Sequence, residues 1–307
     1  MNVYLIWLEW PEKCFRVDAE ALRRLKSLVP TGSRVIRARD EAEFLRKLPS
    51  ATHAIVWNFR KEWFAQAPKL KVLATPGAGR ELVTREVPKG VTLHFGGFHG
   101  AIMAESVAAF VLAWARGFFL AQPDGWPRTW MSDKCYTVAG TRAVVLGYGR
   151  VGRAIGAKLE SLGVEVFGYA RHLRIAASAF NAKLKKADWL VMALPSDTGT
   201  DDILDAKLLA KLNPRCCVIN VGRGNSIDER SLLKALRDGT VAGAYLDVFK
   251  DEPSFFRGIP KTKSDGVILG TAPAKLPRNL IRMPHSSAFS GNYVKMAFEE
   301  LAHDGVL

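Results

Sequence analysis

A chain of 307 residues is too long for one small domain, and two domains are the natural expectation. A hydrophobic share of 48%, with scattered Gly and Pro and neither a low-complexity tract nor a repeat, excludes disordered, fibrous and repeat classes. The net charge of +14 is spread along the chain without a long basic block or a helix-turn-helix, zinc-finger or RNA-binding signature, which argues against specific nucleic-acid binding.

The first hundred residues alternate strand-like and helix-like segments. Residues 1–7 lack a basic leader and a cleavage site, and residues 3–7 read as a first strand rather than a signal peptide. A helix is expected over 19–28, a strand over 34–37, a helix over 41–48, a strand over 53–57, a helix near 62–67 and strands over 72–75 and 91–94. Such βα alternation indicates a parallel sheet covered by helices. Residues 103–120 form a long apolar helix pattern, flanked by Gly96-Gly97-Phe98-His99-Gly100 and Gln122-Pro123-Asp124-Gly125 in the manner of a domain crossing. The longest apolar run, 106–115, is about half a membrane span, so no membrane segment and a cytoplasmic location are expected.

A second α/β series begins at Arg142, with strands over 143–146, 164–169, 189–193, 216–221, 241–247 and 267–269, a short stretch near 281–283, and a helical tail over 292–303 that could pack back on the first domain. Cys14 and Cys135 are isolated, while Cys216 and Cys217 are adjacent in an apolar strand. No cysteine spacing suggests a metal site, and buried, inert thiols in a reducing compartment are expected.

The strand at 143–146 runs straight into Gly147-Tyr148-Gly149-Arg150-Val151-Gly152, and a helix pattern follows. The first glycine permits a tight turn, the second lets a pyrophosphate approach the backbone, and the third lets helix and strand pack closely. The helix N-terminus offers N–H groups and a partial positive charge to phosphates. Strand, motif and helix in register make this a dinucleotide site. Gly77-Ala78-Gly79 is a rival signal, but it lacks the third glycine and a convincing following helix. The next strand ends at Ala170, where an NAD enzyme normally has a carboxylate for the ribose hydroxyl, and Arg171, His172 and Arg174 follow. Without the carboxylate a 2′-phosphate is not repelled, and the basic residues can pair with it, so NADP(H) is expected over NAD(H), with NAD(H) still usable. The positive charge then reads as a basic surface around sites for anions.

Three later segments carry chemistry. Val218-Ile219-Asn220-Val221-Gly222-Arg223-Gly224 is a strand ending in an arginine between glycines. Ala242-Gly243-Ala244-Tyr245-Leu246-Asp247-Val248-Phe249 is a strand leading to Asp251-Glu252-Pro253, and Met283-Pro284-His285-Ser286-Ser287-Ala288 follows a third. In order and content they resemble the D-isomer-specific 2-hydroxyacid dehydrogenases, over about residues 70–302 and most specifically between Gly147 and His285. The resemblance implies two Rossmann-like, doubly wound parallel-sheet α/β domains: a flavodoxin-like substrate domain over 1–101 plus 287–307, and an NAD(P)-binding domain over 102–286.

By the same resemblance, Arg223 binds the substrate carboxylate, His285 is the acid/base, and Glu252 hydrogen-bonds His285 and favours its charged form. Asp247 lies near the nicotinamide carboxamide, while Leu194-Pro195 and Val221 line the cofactor. The Thr75-Pro76-Gly77-Ala78-Gly79 loop holds the carboxylate on backbone N–H groups, with Thr75, Gly77, Ala78 and Gly79 as contacts. Trp57 stands where phosphoglycerate dehydrogenases tend to have arginine, and looks more like bacterial glyoxylate/hydroxypyruvate reductases, although it can equally be packing. Residues 121–139, with Trp126 and Trp130, correspond to a segment that helps form a homodimer, or equally a local lid.

Several features depart from the family pattern. The stretch between Arg171 and Ala187 and the tail after His285 are short, residues 95–100 are unusually Gly-rich, and Ser286-Ser287-Ala288 is polar where the family often has Ile and Ala-Gly. The expected activity is reversible hydride transfer between NADP(H) and a small 2-keto or 2-hydroxy acid, with glyoxylate or hydroxypyruvate as leading substrates and no metal. A D-lactate or broader D-2-hydroxyacid dehydrogenase is the alternative within the class. A dinucleotide-sensing, corepressor-like binding protein is the alternative outside it, and such a scaffold has no physical need to keep the Arg223, Glu252 and His285 set.

Overall fold

The computed structural model describes residues 1–79, 82–84, 86–119, 132, 134–170, 176–197, 199–250, 252 and 276–307. The chain divides into two compact units, Met1–His99 with Phe289–Leu307, and Gly100–Ala288. Both hold all-parallel sheets.

In the first unit the elements are β1 (Val3–Trp7), α1 (Ala19–Leu28), β2 (Arg34–Arg37), α2 (Glu41–Lys47), β3 (His53–Val56), β4 (Val72–Thr75) and β5 (Thr92–Phe95). The strand order is β2-β1-β3-β4-β5, the flavodoxin-like winding. Asp18 and Asp40 cap α1 and α2, each accepting a backbone N–H at 2.7 Å. The helix expected near 62–67 is a 3-10 helix, Lys61–Gln66. It turns Trp63 inward, where Trp63 packs with Trp7, Phe44 and Phe59 over one sheet face.

The second unit opens on α3 (His99–Ala115) and continues through β6 (Arg142–Leu146), α4 (Arg150–Ser161), β7 (Glu165–Tyr169), α5 (Ala177–Leu184), β8 (Trp189–Met192), α6 (Ala206–Leu209), β9 (Cys217–Asn220), α7 (Glu229–Asp238), β10 (Gly243–Leu246) and β11 (Leu280–Arg282). The strand order is β11-β10-β9-β8-β6-β7, so the winding reverses between β6 and β8. Successive β6 residues face opposite ways. Ala143 and Val145 join a core with Val107, Phe110 and Val111 of α3, whereas Val144 and Leu146 join one with Leu232 and Leu236 of α7. A sheet covered on both faces needs such apolar runs. α3 begins at His99, before its apolar run, and ends at Ala115, short of the run's end, where Gly117 takes a positive φ of 72° and Phe118 N–H returns to the Ala113 carbonyl. Among the described residues between β7 and β8, α5 is the helix; the basic residues Arg171, His172 and Arg174 lie outside the described residues, as do Trp126, Trp130 and the strand expected at 267–269.

The last helix, α8 (Tyr293–His303), belongs to the first unit and lies against α1, with Arg24–Glu299 at 2.9 Å and Glu20–Lys295 at 3.1 Å between them.

Candidate active site

In the second unit every singled-out segment follows the C-terminal end of a parallel strand, the edge at which such sheets bind ligands. At the reversal point the three fingerprint glycines answer to three constraints. Gly147 has φ of 89°, and a Cβ on it would stand 2.5 Å from the Ala193 carbonyl oxygen; a Cβ on Gly152 would stand 2.2 Å from that of Gly147. Gly149 has open space there instead. It is the N-cap of α4 and provides no side-chain acceptor, so the first N–H groups of a twelve-residue helix face outward from an uncrowded turn. α4 therefore starts inside the motif, at Arg150, with Val151 in its first turn. Tyr148 folds inward over Gly168 and Gly156, where an added Cβ would stand 2.3 Å from the ring and 2.7 Å from the phenol oxygen. Leu194 and Pro195 follow β8, and a Cβ on Gly222 would stand 2.6 Å from the Leu194 backbone. A nucleotide pyrophosphate fits this turn, which has open backbone, a positive helix end and no carboxylate in the motif. Ala170 follows β7.

The turn carrying Arg223 is braced by Asn220, which is fully buried at the end of β9. Asn220 Nδ2 donates to the Arg223 carbonyl at 3.0 Å and its Oδ1 accepts from Gly222 N–H at 3.1 Å, while Ser226 Oγ donates to the same carbonyl at 2.7 Å. Arg223 Nη1 donates to the Gly222 carbonyl at 2.8 Å. Val221 is buried beside it. Gly224 presses on the Phe249 carbonyl so closely that a Cβ would stand 1.9 Å from its carbon. Phe249 N–H in turn donates to Glu252 Oε1 at 3.0 Å, and Glu252 Oε2 meets His285 Nδ1 at 2.8 Å. A continuous chain of contacts thus runs from the arginine turn to the histidine. His285 keeps 34% of its side chain exposed and Glu252 17%, so the ring is oriented by a shielded carboxylate and still reachable.

His285 has φ of 52°, the left-handed region that a non-glycine residue occupies at a cost of about 1–3 kcal/mol. Asp247 holds it there. Asp247 is fully buried; its carbonyl accepts from His285 N–H at 2.9 Å, and its carboxylate accepts from Ser286 N–H at 2.9 Å, from Ser287 N–H at 3.1 Å and from Ser287 Oγ. The carboxylate expected at the nicotinamide is therefore bonded to the histidine loop. Tyr245, two residues upstream, is held above the ordinary phenol range, first by burial and then by the negative charge of Asp247. Asn220 and Ser287 carry no individual role in the sequence reading; the signals were the asparagine within the arginine segment and the unusual polarity after His285.

In the first unit Trp57 follows β3, half-buried, and its Nε1 donates to the Phe15 carbonyl at 3.1 Å. Its ring packs with Trp10, Phe15 and Tyr293. Thr75 is buried at the end of β4, and its Oγ1 accepts from Gly77 N–H at 3.3 Å, so that amide turns inward. Ala78 is exposed and Gly79 half-exposed beyond it. No group of three or more His, Cys, Asp or Glu is arranged to hold a metal among the described residues. No described helix is long and apolar enough to cross a membrane.

A family model described as "D-isomer specific 2-hydroxyacid dehydrogenase, NAD binding domain" matches residues 108–286, more than half of the chain. Glycerate dehydrogenase of Methylorubrum extorquens is 28% identical over 272 residues, covering 84% of this chain and 83% of that protein. Glyoxylate reductase of Thermococcus litoralis is 26% identical over 242 residues, covering 72% and 73%. Among solved structures, the NADPH-dependent glyoxylate/hydroxypyruvate reductase of Sinorhizobium meliloti, in complex with NADP and sulfate, superposes with a TM-score of 0.69 at 26% identity, covering 99% of this chain and 93% of that one.

Proposed function

Because this chain belongs to the D-isomer specific 2-hydroxyacid dehydrogenase family, we propose that it reduces glyoxylate, hydroxypyruvate or a 2-keto acid of similar size, with NADPH preferred over NADH. The single observation that carries the reading is the 2.8 Å bond from His285 Nδ1 to Glu252, in a contact chain that begins at the Arg223 turn.

The nicotinamide, when bound, supplies and takes back the hydride. The chain's own residues do the rest. The N–H groups at the start of α4 and the Gly147–Gly152 turn hold the pyrophosphate, with Tyr148, Arg150, Val151, Leu194, Pro195 and Val221 around the cofactor. Arg223 pairs with the substrate carboxylate and polarises the adjacent carbonyl. Protonated His285, with Nδ1 engaged by Glu252, donates from Nε2 to the oxygen that becomes the hydroxyl; in the oxidative direction the neutral ring removes that proton. Glu252 orients the ring for that transfer through its bond at Nδ1. By the family resemblance, the Thr75–Gly79 loop is the further segment that holds a carboxylate on its amides. With Gly77 N–H turned onto Thr75, this task falls to the Ala78 and Gly79 amides. Trp57, its indole N–H engaged by Phe15, offers only apolar ring surface, which suits a small unphosphorylated side chain.

The preference for a 2′-phosphate rests on Ala170 in the place of a carboxylate, with Arg171, His172 and Arg174 next in the sequence. A homodimer is part of the same reading. Leu112 and Phe118 are exposed at the end of α3 and precede the Trp126–Trp130 segment. The free thiols Cys14, Cys135, Cys216 and Cys217 suit the cytoplasm. The test is NADPH oxidation against glyoxylate, hydroxypyruvate, pyruvate and phosphohydroxypyruvate. Turnover is expected with the first two and least with the phosphorylated acid; no turnover with any of the four overturns the reading.

A further inference from the structure

We propose that Ser287 is a positioning residue for His285, acting through Asp247; this rests on the reading of His285 as the acid/base. The backbone at His285 is in the left-handed region without being glycine, so something must hold it. Two backbone bonds hang the loop from the end of β10: Met283 N–H to the Leu246 carbonyl and His285 N–H to the Asp247 carbonyl, both 2.9 Å. A further hold comes from the Asp247 carboxylate. It is fully buried, and its bonds come from Ser286 and Ser287: Ser286 N–H to Oδ1, Ser287 N–H to both oxygens, and Ser287 Oγ to Oδ2.

A buried carboxylate left short of donors is strongly disfavoured, so the charge and the loop stabilise each other. Ser287 is itself buried, with 3% exposed, and contributes the side-chain donor of this set. Its own carbonyl accepts from Ser106 Oγ on α3 at 3.0 Å, which anchors the far side of the loop. Alanine at 287 leaves Asp247 Oδ2 underpaired. The loop then relaxes toward ordinary backbone angles, and the imidazole leaves Glu252. Ser287 touches no reacting atom.

The experiment is proton NMR of the cofactor-free protein, following the downfield Nδ1–H resonance of His285, assigned by its loss in His285→Gln. In Ser287→Ala this signal is expected to broaden or vanish, and kcat for the keto acid to fall about tenfold with KM nearly unchanged, the size of one lost hydrogen bond to a charged group. Ser287→Thr, which keeps the hydroxyl, restores both. Asp247→Asn combined with Ser287→Ala loses little beyond Asp247→Asn alone, because the two act through one contact. If Asp247→Asn does not fold, the Ser287→Ala signal decides alone. An unchanged signal and kcat in Ser287→Ala, with His285→Gln inactive, overturns the clamp. Turnover retained in His285→Gln overturns the acid/base reading instead.

Discussion

His285 and Glu252 are 33 residues apart in the chain, and their bond depends on two loops that leave neighbouring strands of one sheet. Each residue type was legible in the sequence, because a proline-flanked histidine and an E-P carboxylate stand in recognisable segments. The supports were not legible. Asn220 and Ser287 act on backbone and carboxylate atoms brought to them by the fold, and the asparagine of the arginine segment and the polarity after His285 do not by themselves reveal those partners. At this scale His285→Ala is expected to lower turnover by about 10²–10⁴-fold. Cofactor affinity, read by quenching of protein fluorescence on NADPH binding, stays near that of the unaltered protein. Loss of both together would mean that the substitution disturbs the cofactor turn rather than proton transfer.

Among the elements, the glycine turn and α4 show a local rule agreeing with a tertiary demand. The spacing of Gly147, Gly149 and Gly152 is visible in the sequence, yet the constraints on Gly147 and Gly152 come from the Ala193 carbonyl and the turn's own backbone. α7 is a simpler case. Asp228 caps it, accepting from Arg230 and Ser231 N–H at 3.2 and 3.4 Å and from Ser231 Oγ at 2.5 Å, and Gly239 ends it with φ of 77°. Burial alone raises the carboxyl of Asp228, but the Ser231 side chain, the Ser231 and Arg230 amides and Lys250 outweigh it and hold the group below the usual range. A carboxyl lowered in the folded state contributes stability that is complete above its unfolded value and is lost as pH falls through the folded one. Asp228→Ala is therefore expected to cost about 1 kcal/mol at neutral pH. Denaturant unfolding of the two proteins should converge as pH drops below about 4. A constant difference down to lower pH would contradict the cap.

At the scale of the whole molecule, the two sheets share one design, parallel strands with the singled-out residues beyond their C-terminal ends, in two separately cored units. The net charge of +14 belongs to this level, since it draws anions to the molecule without specifying a contact. Cofactor choice is read here through linkage. A ligand that binds only the folded protein raises its stability by RT ln(1 + [L]/Kd), about 2.7 kcal/mol at a hundredfold excess over Kd. NADPH is expected to raise the melting midpoint more than NADH at equal concentration, and Ala170→Asp to reverse the order. Equal shifts from the two cofactors would count against the 2′-phosphate preference.

The sequence by itself determined the α/β class, the parallel alternation, the cofactor turn and the chemical types at the ends of three strands, because these depend on short-range periodicity, glycine geometry and side-chain chemistry. The tertiary structure decided how these parts are held. It showed Asp247 bonded to the histidine loop, Gly224 seated on the Phe249 carbonyl, and Ser287 closing on a charge 40 residues away. Those are burial and hydrogen-bond facts between distant segments, and they exist only once the sheet has brought the strand ends together.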